Sequence, residues 1–254
     1  MLFSLVKSGA ECLSSNVLVK SLPSNSLLSF NIQNVNDLFL GFLDGDFGVL
    51  YGTSDVLSLS LLLTVRAQLP YQLGGVESNV VFVDGGNSFR LYEVSRIAQI
   101  YQLDPKQALK RIYISRAFTA YQMTAIILEK LEYAVQKFES KFVLISDITG
   151  LYSDKDIPDG EAKEVFNHLT IYLARFAEEH RLILMATCLP SYPSKRNAFF
   201  QSALFGKASV VMSVRPSKHR KLLVLEKHPT FSLGYAEFPS DNFTLDRFVE
   251  EGFE

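Results

Sequence analysis

Two groups of residues in this chain have the type and spacing for chemistry on phosphates. The first is a set of turns that close apolar runs. Gly52-Thr53-Ser54-Asp55 follows Phe47-Gly48-Val49-Leu50-Tyr51, Asp84 ends Asn79-Val80-Val81-Phe82-Val83, and Asp147 ends Phe142-Val143-Leu144-Ile145-Ser146. The second is a basic stretch. From His180 to Leu225 there is no Asp or Glu, while Arg181, Lys195, Arg196, Lys207, Arg215, Lys218, Arg220 and Lys221 supply eight positive charges. The chain as a whole carries −2, so the remainder carries about −10.

Within the basic stretch aromatic rings alternate with cations. Tyr192, Lys195, Arg196, Phe199, Phe200 and Lys207 form one group, and Arg215, Lys218 and Arg220 surround a second turn. Rings can stack on bases while cations hold phosphates, so the pattern points to single-stranded nucleic acid. The alternative is a solvated loop and an edge hairpin kept soluble by its lysines. The absence of acids over the whole span favours nucleic acid. The net-acidic run Ser153 to Gly160 would repel phosphates and is not expected to take part.

Other constellations carry less. His168, His180, His219 and His228 show no paired metal spacing, and no metal site is expected. Cys12 and Cys188 have neither metal nor redox spacing, and Cys188 reads as a small buried hydrophobe. Gly52 to Val56 lacks the closing glycine of a nucleophile elbow. Gly85-Gly86 reads as a tight turn, because the remaining glycines of a phosphate loop are missing. Phe238, Phe243, Phe248 and Phe253 are expected to pack on the domain's own core, with docking on a partner as the alternative.

The elements that must position these residues alternate along the chain. The first 35 residues read as irregular or short strands, with Asn31 to Asn36 turn-rich. Strands are expected at Phe47–Tyr51, Asn79–Asp84, Arg111–Ser115, Phe142–Asp147 and Leu182–Thr187. Helices are expected after Asp55 to about Gln68, at Leu91–Gln102, Tyr121–Phe138 and Glu161–His180. Ser209 to Phe238 offers three more strand-like runs. Such alternation implies a mostly parallel sheet flanked by helices, with antiparallel strands at one edge near the C-terminus. Ligands of such sheets lie at the carboxyl ends of the strands, where Asp84, Asp147 and the Gly52–Asp55 turn would sit.

Hydrophobic residues make up 48% of the 254 and charged residues 20%, with no low-complexity linker, which fits one large α/β domain over 1–254. Residues 1–35 read as an N-terminal extension and 239–254 as an acidic tail. The longest apolar run, Val56 to Val65, is too short for a membrane span of about 20 residues. A cytoplasmic protein is expected, nucleoid-associated if it binds DNA.

The chain resembles the RecA/RadA recombinase superfamily, and in particular the core of archaeal RadA paralogues. Val83-Asp84 with Ser88-Phe89-Arg90, Ser115-Arg116-Ala117-Phe118, Leu144-Ile145-Ser146-Asp147 with Leu151-Tyr152, Leu173-Ala174-Arg175-Phe176, and Leu223 to Pro229 are similar to family segments in the same order. The resemblance spans roughly Leu38 to Phe238 and leaves no room for the family's helix-hairpin-helix domain.

The resemblance also implies a defective ATPase. Alignment on Ala67-Gln68-Leu69-Pro70 places Leu50 to Leu57 where the family has G-x-x-x-x-G-K-T. The second glycine becomes Asp55, the phosphate-binding lysine Val56 and the magnesium-binding threonine Leu57, and there is no lysine between Lys20 and Lys106. The catalytic Glu falls on Gly86 and the switch Gln near Leu189. Thr53, Ser54 and Asp147 are the remnant of the nucleotide site; Asp147 either caps a turn or retains some metal binding. No cofactor is expected, with ATP–magnesium binding as the disfavoured alternative. The two DNA-binding loops of the family fall after Asp147 and at Pro190–Lys207.

The function implied is an accessory protein of homologous recombination and repair that lacks its own ATPase cycle. It would bind single-stranded DNA, a RadA-type recombinase, or another paralogue. A protein-interaction scaffold without DNA binding is one alternative; an ATPase with an atypical lysine is the other.

Overall fold

In the computed structural model the described residues are 27–154, 157–189, 193–217 and 220–239. An eight-stranded sheet runs in the order β10-β9-β8-β3-β7-β6-β4-β5. Its strands are β3 (Phe47–Gly52), β4 (Asn79–Asp84), β5 (Ile112–Arg116), β6 (Ser140–Ser146), β7 (Ile183–Cys188), β8 (Val210–Pro216), β9 (Arg220–Lys227) and β10 (Gly234–Pro239). The pairings β3–β7, β3–β8, β6–β7, β4–β6 and β4–β5 are parallel; β8–β9 and β9–β10 are antiparallel. This is the sheet expected from the alternating pattern, including its antiparallel edge.

Central strands buried on both faces must be apolar through their middles, and these are. Val80 and Phe82, Phe142 and Leu144, and Ile183 and Met185 face one core, while Val81 and Val83, Val143 and Ile145, and Leu184 and Ala186 face the other. The first core is covered by α2 (Asp55–Arg66), α3 (Leu91–Ile100) and α4 (Pro105–Lys110). The second is covered by α5 (Ala120–Ala125), α6 (Leu131–Lys137), α7 (Asp159–Glu179) and α8 (Lys195–Lys207).

Four local readings change. Asn31 to Asn36, read as turn-rich, runs into a short helix, α1 (Gln33–Leu38), between two-residue strands β1 (Leu27–Leu28) and β2 (Phe42–Leu43). The described end of the N-terminal segment belongs to the core, since Leu28, Phe30, Ile32 and Val35 are fully buried. Helix α4 was not expected, although its signal is present: Asp104 caps it by accepting from Gln107 N–H at 2.9 Å, and Pro105 occupies its first turn. The long helix at Tyr121–Phe138 is interrupted by a π turn at Ile126–Lys130. Most consequential, Lys195–Lys207 is the helix α8 where a DNA-binding loop was expected.

Phe238 is buried, as expected; Phe243, Phe248 and Phe253 lie outside the described residues. No helix among the described residues is long and apolar enough to cross a membrane.

Candidate functional site

The carboxyl end of β3 enters α2 through two residues, Thr53 and Ser54. Gly52 makes this turn possible. Its φ is +119°, and a Cβ there would stand 2.1 Å from Val214 O on β8. Thr53 N–H donates to the same Val214 O at 3.1 Å, Val56 N–H to Thr53 O at 3.2 Å, and Leu57 N–H to Ser54 O at 3.1 Å. The N–H groups of Thr53, Val56 and Leu57 are therefore consumed internally, whereas a phosphate cradle turns such groups toward its ligand. The Val56 side chain is fully buried in the core, and Leu57 nearly so. Ser54 makes no capping hydrogen bond and is exposed.

Strand β9 pins this turn from both faces of the sheet. On the α2 face, Lys221 Nζ pairs with Asp55 Oδ1, and Thr53 Oγ1 donates to Asp55 Oδ2 at 2.7 Å. Burial pushes the Asp55 carboxyl up, but hydrogen bonds from Lys221 and Thr53 and the Lys221 charge outweigh it, so its pKa lies below the usual value. On the α8 face, Tyr51 Oη donates to Glu226 Oε2 at 2.6 Å, Ser213 Oγ to Glu226 Oε1 at 2.6 Å, and Arg215 Nη2 pairs with Glu226 Oε1. Burial likewise opposes ionisation of Glu226, and these donors overcome it.

The two strand-end acids are engaged with their own loops. Asp84 is fully buried and accepts from Ser88 N–H at 2.8 Å, Ser146 Oγ at 3.0 Å and Arg116 Nε at 3.2 Å. Asp147 lies just beyond β6 with φ +47°, and its Oδ1 accepts from Leu189 N–H at 3.2 Å. Glycines crowd it: a Cβ on Gly150 would stand 2.3 Å from its Oδ2, and one on Gly86 2.9 Å from its Cβ. Burial raises the Asp147 pKa, and backbone N–H groups at Leu189 and Gly150 only partly offset this. Of the two roles left open for Asp147, this geometry serves the turn cap.

The basic stretch is acid-free in sequence but not in space. Arg215 meets Glu226, Arg220 Nη1 meets Glu237 Oε2 at 2.9 Å, and Lys221 meets Asp55. Arg196 turns inward onto Tyr152 O (2.7 Å), Asp154 O (2.7 Å) and Ile157 O (3.0 Å), with Asp159 Oδ1 at 3.6 Å. It ties the acidic loop to α8 and is not a free phosphate ligand. Phe200 is fully buried against Tyr152 and Phe166, so its ring cannot stack on a base. Phe199 remains 37% exposed with Lys163 Nζ 5.5 Å from its ring centre, and Lys195 and Lys207 are exposed with no ion-pair partner among the described residues. Tyr192 and Lys218 lie outside the described residues.

A cleft of about 250 Å³ lies elsewhere, on α7, lined by Glu132, His168, Tyr172, Arg175 and Phe176 among others. The C-terminal half of a crossover helix faces the amino ends of the strands, so this cleft is on the side away from the strand-end acids.

Residues 47–202 match the Rad51 protein family. That segment is more than half of the chain and contains β3, its turn, both strand-end acids and the first turns of α8. The chain belongs to the Rad51 family.

Similar members of the family include the DNA repair and recombination protein RadA of Aeropyrum pernix, 33% identical over 46% of this chain and 33% of that protein. The meiotic recombination protein DMC1 of Saccharomyces cerevisiae is 26% identical over 57% of this chain and 44% of its own. The DNA repair protein Rad51 homolog of Drosophila melanogaster is 31% identical over 49% and 38%, respectively. The match thus spans less than half the length of these relatives.

The Rad51 match ends before β8. Lys221, Glu226, Ser213 and Arg215, which hold the β3–α2 turn, all come from strands beyond it. Sequence reading missed these four as partners of the turn. Glu226 alone left a trace, as the first acid after the acid-free span. Cys188 lies in the core with its thiol pKa pushed up to about 12 by burial, in keeping with a packing role.

Proposed function

We propose that this chain serves DNA recombination and repair as a non-hydrolysing Rad51-family paralogue, working by contact with a recombinase or another paralogue. The relatives' names supply the process. One observation carries the absence of hydrolysis: β3 passes into α2 through only two residues, and Thr53 there is closed on Val214 and on Asp55, which Lys221 also holds. ATP–magnesium does not fit the residues present. A nucleotide would need a longer loop and a free lysine. Here Val56 is in the core, Thr53 is spent on Asp55, and Asp147 holds Leu189 N–H. Without that site, contact is the activity the fold can still offer. The test is magnesium-dependent ATP turnover by the full chain, alone and with a Rad51-family recombinase. No turnover above buffer, or above the recombinase alone when it is present, supports the reading, and added turnover that is lost in Asp147→Ala overturns it.

Single-stranded DNA contact is the second reading, and a smaller one than the eight cations of the basic stretch suggest. Lys195, Lys207 and the Phe199–Lys163 pair favour it. Binding of a labelled oligonucleotide at two salt concentrations checks it, since phosphate contacts weaken steeply with salt.

A further inference from the structure

An anion already sits at the first turn of α2, and it belongs to the chain. The Asp55 carboxylate accepts from the Thr53 hydroxyl at 2.7 Å and from the Lys221 ammonium. A hydroxyl and an ammonium at the positive end of a twelve-residue helix are donor types that hold a phosphate group. The ammonium arrives from a strand 166 positions away in sequence, so the cluster is assembled by the fold and is not a property of one helix end.

We propose that Asp55 is a built-in anion that fills a small phosphate-type site formed by Thr53, Lys221 and the start of α2, and thereby keeps free phosphate out. The proposal rests on the non-hydrolysing reading above and adds a residue responsible for it. Exclusion would come from occupancy and like charge together: a phosphate must displace a carboxylate already held by a lysine. Removing that carboxylate leaves Lys221 without its counter-ion beside the helix start, with the Thr53 hydroxyl free to turn.

The test uses inorganic phosphate and the full chain. In the unsubstituted protein, phosphate is expected to give no saturable rise in melting temperature beyond that of chloride at equal ionic strength. In Asp55→Ala it should give a saturable rise, with affinity at least about tenfold above the parent, and Asp55→Ala/Lys221→Met should lose it. A folded Asp55→Ala without phosphate binding overturns the proposal, as does a gain that survives loss of Lys221. If Asp55→Ala does not fold, Asp55→Asn carries the same titration in a nearly isosteric background. There a double-mutant cycle with Lys221→Met must also be non-additive, and additivity counts against the pair. ATP turnover by the unsubstituted chain would sink the non-hydrolysing reading, and the phosphate titration of the variants would still decide this one.

Discussion

Lys221 of β9 closes on Asp55 of α2 with side chains only 22% and 16% exposed, across the position where a Rad51-family nucleotide site would lie. The pair joins the antiparallel edge of the sheet to its parallel centre. The Tyr51–Glu226 hydrogen bond makes the same connection on the opposite face. A turn fastened from both sides has little freedom to open around a ligand.

Acid should loosen that fastening. Asp55 and Glu226 both have native pKa values below their ordinary ones, so their ionised forms add stability at pH above the unfolded value. That contribution is lost as pH falls through the lower native values. Melting curves from neutral to strongly acidic pH should show it, and Asp55→Asn/Glu226→Gln should flatten the acid limb. An unchanged limb would show that neither carboxylate matters to the fold.

Asp147 has the opposite sign. Burial raises its native pKa, so ionisation costs stability, fully avoided below the unfolded value and felt as pH rises through the native one. Asp147→Asn keeps an oxygen for Leu189 N–H and is expected to raise the melting temperature at pH 7. The gain should vanish in acid. A lower melting temperature at pH 7 would show that the carboxylate is needed in its charged form.

Phe199 and Phe200 are neighbours with different fates. Phe200→Ala opens a cavity among Tyr152, Phe166 and Leu204 and should cost about 3–5 kcal/mol in urea unfolding. Phe199→Ala should stay within about 0.5 kcal/mol. If DNA binds through α8, Phe199→Ala and Lys195→Glu/Lys207→Glu should weaken oligonucleotide binding without changing stability. Equal stability costs at the two positions would contradict the buried and exposed assignments.

Arg66 is almost completely buried with no carboxylate partner among the described residues; Ser29 O (2.5 Å), Leu73 O (2.7 Å) and the Ser29 hydroxyl (3.1 Å) receive it, and Tyr101 lies 5.0 Å from its guanidinium. Burial lowers its pKa, and the arginine stays charged because its unperturbed value is so high. Arg66→Met would orphan buried carbonyls at roughly 1–3 kcal/mol each. A loss of about 3 kcal/mol is expected, with amide exchange rising first around Ser29 and Gly74. Exchange unchanged at those amides would show that Arg66 does not hold the segment.

The strands were readable because each central one is buried on both faces and must be apolar through its middle, and Asp84 and Asp147 mark two of their ends. Helix α8 was hidden by its polar first turn, Lys195-Arg196-Asn197. Its signals were Ser194, whose hydroxyl caps the helix by accepting from Asn197 N–H at 3.0 Å, and the Phe200–Leu204 spacing. Charge was the least readable property. Counting along the chain isolates Arg215, Arg220 and Lys221 from acids, but strand pairing and helix packing bring Glu226, Glu237 and Asp55 to them. That Val56 stands where the resemblance expects a lysine was visible in sequence; the Lys221–Asp55 ion pair beside it was not.

Magnesium-dependent ATP turnover by the full-length chain, measured with and without single-stranded DNA and a partner recombinase, tests the central claim most directly. Release of phosphate at the buffer background without the recombinase, and no higher than that of the recombinase alone with it, is the predicted result. Turnover that rises with DNA or partner and disappears in Asp147→Ala would contradict it.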